Sequence, residues 1–177
     1  MAGKGSEYSK RSEGGATVFT VTPASSPKFT FLLILGGGIM LLGLLSMPVG
    51  IVFLAMGGFA FWYGWTRDLR PKDHRAVSTF KVTPNAVEKD GRSFGKEEIH
   101  RLILRNGVTD QELGVQVMTT NANVAAGMAH RANVARFANL LNVESGGKSH
   151  MLAGGMDETT AYGLLHDVSK VLEMKIS

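Results

Sequence analysis

Five histidines, at positions 74, 100, 130, 150 and 166, are the side chains best suited to binding a metal or moving a proton near neutral pH. No two of them lie four residues apart, and none stands in a His-Glu-x-x-His frame, so the sequence forms no local zinc motif. His166 stands beside Asp167 on the polar face of the last predicted helix, an arrangement suited to solvent. Gly147-Lys148-Ser149 looks like the end of a phosphate-binding loop. Such a loop needs a glycine five residues before its final glycine, and here that position is Asn142. Ser145 sits in Glu-Ser-Gly-Gly, which lacks the first glycine of a nucleophile elbow. There is no cysteine, so neither a disulfide framework nor a thiolate metal site is available. The expectation is a non-enzymatic chain with no cofactor and no bound metal. Arg101, Arg105, Arg131 and Arg136 could gather into a patch for acidic partners, or could be the exposed faces of a strand and a helix.

The stretch that must position everything else is uncharged. From Phe29 to Thr66 no Asp, Glu, Lys or Arg occurs in 38 residues. A bilayer core needs about 20 apolar residues as a helix, so the run is long enough for two spans and a turn. Ser46-Met47-Pro48-Val49-Gly50 lies in its middle, and Pro48 disfavours helix at Met47. The pattern predicts helices over Thr30–Ser46 and Val49–Thr66. Gly36, Gly43, Gly50, Gly57 and Gly64 recur every seven residues, which returns to one face and lets two backbones approach. Phe59, Phe61, Trp62, Tyr63 and Trp65 crowd the far end as an aromatic belt would. Lys4, Lys10, Arg11 and Lys28 precede the run, and Arg67, Arg70, Lys72 and Arg75 follow it. By the positive-inside rule both termini are expected in the cytoplasm.

Outside that run the chain divides by composition. Residues 1–28 are rich in Gly, Ser, Lys and Glu and are expected to form a disordered tail, with 67–75 a juxtamembrane linker. The net charge of +4 is split evenly between the tail and the part after Thr66. The remainder is therefore nearly neutral, without the basic footprint of a nucleic-acid binder. Residues 76–177 predict short strands with tight turns. Asp90-Gly91 is the strongest hairpin signal, and a second hairpin turns at Ser145-Gly146-Gly147. Leu113, Val115 and Val117 alternate as in a half-buried strand. An alanine- and asparagine-rich insertion near 121–139 reads as a helix over about Val124–Ala138. Ala161, Leu164, Leu165, Val168, Val171 and Leu172 form one apolar stripe of a closing helix that Asp157 can cap.

About seven strands followed by one amphipathic helix resembles a pleckstrin-homology-like barrel. FKVTPNAVEKDGRSFGKEEIHRLILRNG (Phe80–Gly107) and HMLAGGMDETTAYGLLHDVSKVL (His150–Leu172) are similar to the opening and closing segments of bacterial pleckstrin-homology-like domains that follow paired membrane helices. The resemblance implies an α+β membrane protein located in the bacterial inner membrane. Its two-helix transmembrane hairpin would be followed by a cytoplasmic β-barrel or sandwich capped by the C-terminal helix. It also implies a scaffold for protein contacts, with no catalytic set to carry over.

The expected function is that of an accessory or assembly protein in a larger membrane complex. Its expected partners are membrane lipid and other protein subunits or further copies of itself. The alternative is a membrane-anchored enzyme or enzyme regulator with a ligand site near 121–139, motivated by the asparagines and His130 in that insertion.

Overall fold

The computed structural model describes residues 5–25, 28–66, 68, 72–108 and 132–174. The chain divides into two compact units, one built of strands with the C-terminal helix and one built of the apolar helices.

The first unit starts earlier than its composition suggests. Glu7–Glu13 (β1) and Ala16–Thr22 (β2) form an antiparallel hairpin about Gly14-Gly15, whose φ angles of +57° and +85° suit glycine. The segment expected to be a disordered tail is thus the edge of a sheet. In β2, Phe19 and Val21 alternate into the core, where Phe19 stacks on its cross-strand partner Phe80 with ring centroids 5.4 Å apart. Ser78–Val82 (β3), Ala86–Lys89 (β4) and Arg92–Gly95 (β5) complete a five-stranded sheet in the order β1-β2-β3-β4-β5. Asp90 and Gly91 turn β4 into β5, both with positive φ.

A second sheet of three strands, Ile99–Asn106 (β6), Asn139–Ser145 (β7) and Lys148–Met156 (β8), runs in that order. Gly146 and Gly147 make the β7–β8 turn at φ +58° and +72°. Glu158–Leu172 (α3) lays Ala161, Leu164, Leu165, Val168 and Leu172 into a core shared with Leu141, Val143, Leu152 and Met156. Asp157 caps it by accepting from the Thr160 N–H at 2.9 Å.

The expected closed barrel is not formed. The two sheets stay separate. Where a barrel would need a strand ladder, β8 carbonyls accept single bonds: Leu152 from Ser78 Oγ at 2.5 Å, Met151 from Lys89 Nζ at 2.9 Å and Gly155 from Ala24 N at 2.9 Å. Two side-chain donors and one backbone N–H therefore bridge the seam. The fold is α+β with two sheets, and the pleckstrin-homology-like architecture is corrected accordingly.

The second unit is a helical pair, Thr30–Leu45 (α1) and Ile51–Thr66 (α2), inserted in sequence between two neighbouring strands of one sheet. Each helix has 16 residues, about 24 Å at 1.5 Å per residue. Ser46–Gly50 is spent on the turn, so both helices stop short of the predicted ends at the middle of the run. Among the described residues no helix is long and apolar enough to cross a membrane. The expected transmembrane hairpin is corrected on that finding. The bacterial inner-membrane location and the cytoplasmic placement of both termini, which rested on it, are corrected too. The expected strand at Leu113–Val117 and residues 124–131 of the expected helix Val124–Ala138 lie outside the described residues; of the rest of that helix, 132–135 form one helical turn and 136–138 are not helical.

Candidate functional site: the apolar helical pair

Glycine sets the separation of the two helices. Gly36 faces Gly57: a Cβ added at Gly36 would stand 2.6 Å from Phe61 N and 2.7 Å from Gly57 O. Gly43 and Gly50 oppose one another next to the turn, and Gly64 packs on Leu32. Phe29 N donates to Gly64 O at 3.2 Å across the open end. The five heptad glycines thus form one contact line between antiparallel helices. Any larger residue there meets backbone, which cannot yield as a flexible side chain does.

Most of the rest of the pair's surface is exposed among the described residues. Of 19 large apolar side chains exposed among the described residues, 17 lie between Phe31 and Trp65. Leu45 and Val49 near the turn are 77% and 76% exposed. The helices are apolar on every side, so no face is made for water. Away from the turn, Lys28 Nζ sits 4.8 Å from the centroid of the Trp65 ring and donates to Trp65 O at 2.8 Å.

The strand unit carries polar constellations of a different kind. Asp167 on α3 accepts from Tyr8 Oη at 2.9 Å and from Lys10 Nζ at 3.0 Å, tying β1 to the helix. Burial pushes the Asp167 carboxyl up, but the hydrogen bonds from Lys10 and Tyr8 outweigh it and hold it below the ordinary carboxylate value. Burial and the Asp167 hydrogen bond raise the Tyr8 phenol. Asp157 is likewise opposed by burial, yet held low by bonds from Ser6 and Thr160. Ser6 Oγ donates to Asp157 Oδ2 at 2.6 Å, and Ser6 N donates to the same oxygen at 3.0 Å. Sequence reasoning missed this anchor. Its one readable signal was Gly14-Gly15, the turn that makes β1 a strand.

The candidate arginines do not assemble into one patch. Arg101 is exposed on β6, and its Nε donates to Glu144 Oε2 at 2.7 Å. That bond holds the Glu144 carboxyl below its ordinary value. Arg105 is half-buried four residues along the same strand, Arg136 is exposed after the 132–135 turn, and Arg131 lies outside the described residues. The histidines are dispersed as well. His74 is buried against Gly107 and Gly155, the His150 ring lies 4.8 Å from that of Phe94 at a tilt of 37°, His100 is exposed, and His130 lies outside the described residues. His166 Nδ1 is 3.9 Å from Asp167. Among the described residues no three His, Cys, Asp or Glu side chains are grouped to hold a metal. Lys148 and Ser149 open β8, which is a strand and not the helix a phosphate loop requires. A cavity of about 400 Å³ between the β4–β5 turn and β8 is lined by Arg92, Asp90, Ser149 and His150, mixing both charge signs.

No family model matches this chain, and neither a curated protein nor a solved structure matches it.

Proposed function

We propose that this chain is a non-enzymatic accessory or assembly subunit that works through protein–protein contact within a larger complex. The observation that carries this reading is the outer surface of the helical pair, with 17 large apolar side chains exposed on 32 helical residues and their turn. Exposed apolar patches beyond a few hundred Å² mark interaction sites. A helix apolar all round belongs inside an assembly or in lipid. The contact line of glycines supplies a rigid rod pair on which such a surface can be presented. Protein subunits, including further copies of this chain, are the cover proposed first. Lipid acyl chains are a second cover, favoured by one observation: Lys28 lies against the Trp65 ring at the end opposite the turn, a cation and indole suited to an apolar boundary. Such lipid contact needs no helix to cross a bilayer.

A photo-crosslinking amino acid placed at Leu42, Val52 or Phe59 of the full chain, in its native setting, tests the reading. The expected result is adducts to protein at defined masses. Adducts to lipid alone, or no adducts from any of the three positions, would overturn protein contact as the function.

A further inference from the structure

We infer that one face of the helical pair is a self-association surface, whose occupant is the same face of a second copy of this chain. The inference rests on the proposed assembly role and names its partner. Seven glycines lie within the two helices and one, Gly50, in the turn between them, but the contact between the helices uses only the heptad set. Gly37, Gly38 and Gly58 are different. A Cβ at any of the three would meet nothing within 4 Å, so close packing inside this chain does not call for glycine there. Glycine also weakens a helix relative to alanine, so none of these positions is explained by helix formation. Gly38 lies about 200° round α1 from the contact line, so Gly37 and Gly58 are the two that flank it.

Their placement is specific. Gly36 faces Gly57 across the contact line, and each following residue turns about 100° away from it. The helices are antiparallel, so the two turns have opposite sense along a common axis and bring Gly37 and Gly58 to the same side. They form a shallow floor at one level of the pair. Leu44 and Ile51 stand toward the turn on that side, and Trp65 stands toward the open end, all exposed. Gly37 is the eighth of the 16 residues of α1, and Gly58 is the eighth of the 16 of α2. The floor is therefore at the midpoint of both helices. Under a two-fold axis along or across the pair, midpoint meets midpoint, as an isologous contact requires. Crossing helices approach closest at their crossing point, where small residues admit the facing backbone. Acyl chains have no such need for a glycine floor.

The area suffices. Two helices side by side, each about 24 Å long and about 10 Å wide, offer roughly 480 Å² in projection. Two copies together then bury roughly 1,000 Å² before side-chain relief is added, near the lower bound for a specific interface. No charged residue occurs on either surface to oppose it.

The absence of cysteine makes the test clean. Single substitutions Gly37→Cys and Gly58→Cys are oxidised in the purified full chain in mild detergent, beside Leu35→Cys and Met56→Cys, which turn about 100° the other way from the contact line. The expected result is disulfide-linked dimers from Gly37→Cys and Gly58→Cys, at least tenfold more than from Leu35→Cys and Met56→Cys. Light scattering of the unmodified chain should read twice the 19.0 kDa chain mass. Filling the floor with Gly58→Leu should shift it toward the single-chain mass. Equal linking from both faces, no linking, or a dimer unmoved by Gly58→Leu would overturn the proposal. Photo-adducts to other proteins without any two-copy species would sink this inference while leaving the assembly role standing. Loss of all protein adducts would sink both.

Discussion

Asp157 serves two neighbours with one carboxylate. Its Oδ1 caps α3 through Thr160 N, and its Oδ2 takes both donors of Ser6 at the start of the N-terminal hairpin. Asp157→Ala should therefore cost more than a simple cap, about 1–2 kcal/mol or somewhat above, read as a lowered urea midpoint. A second expectation concerns pH. Asp157 and Asp167 both have folded-state values below the ordinary carboxylate value of about 3.9. Their stabilisation is fully present above that value and is lost as pH falls through the depressed ones. Tyr8 has the opposite sign: its raised value favours the neutral phenol, and its stabilisation fades as pH rises through about 10 and above. Urea midpoints should drop between pH 5 and pH 2 and again above pH 10. Asp167→Asn should shrink the acid drop, and Tyr8→Phe should remove part of the alkaline one. Unchanged slopes in both variants would mean that the β1 anchor contributes nothing to stability.

The helices and hairpins were legible in the sequence to different degrees, for physical reasons. Asp90-Gly91 and Gly146-Gly147 could be read because each is flanked by residues that alternate into a core. Gly14-Gly15 has the same turn chemistry, but β1 exposes nearly every side chain and shows no apolar period, so composition suggested a tail. The stripe of α3 was visible because five of its residues fill one core. In the apolar run, lack of charge located the helices but could not say how many residues the turn would consume. That shortfall turned an expected pair of spans into two helices of 16 residues. The arginines could be picked out one by one, but pairing such as Arg101 with Glu144 depends on strand register, which residue type does not encode.

An element-scale expectation follows from the glycine line. Gly36→Leu or Gly57→Leu drives a side chain into backbone less than 3 Å from its Cβ, so overpacking should cost at least about 1–3 kcal/mol and reduce helicity by circular dichroism. Gly37→Leu has open space and should leave helicity unchanged or slightly raised. Equal effects from the two kinds of substitution would contradict the assigned contact line.

At the scale of the whole molecule, the helical pair is an insertion. β2 and β3 are antiparallel neighbours in register, with Phe19 opposite Phe80, although the apolar run separates them in sequence. Joining Ser25 to Lys72 by a short glycine-rich loop keeps that ladder. The shortened chain should fold cooperatively, with near-native far-ultraviolet dichroism from the strands. Failure to fold would show that the strand unit needs the helical pair. The two units differ in kind: one is a core with hydrogen-bonded polar anchors, and the other exposes large apolar side chains.

Light scattering on the full chain and on this shortened form, at matched concentrations in mild detergent, tests self-association through the helical pair most directly. Self-association through the helical pair requires the full chain to read at least twice its 19.0 kDa mass and the shortened form to read as a single chain at every concentration. Single-chain masses for both, or an association that survives removal of residues 26–71, would contradict it.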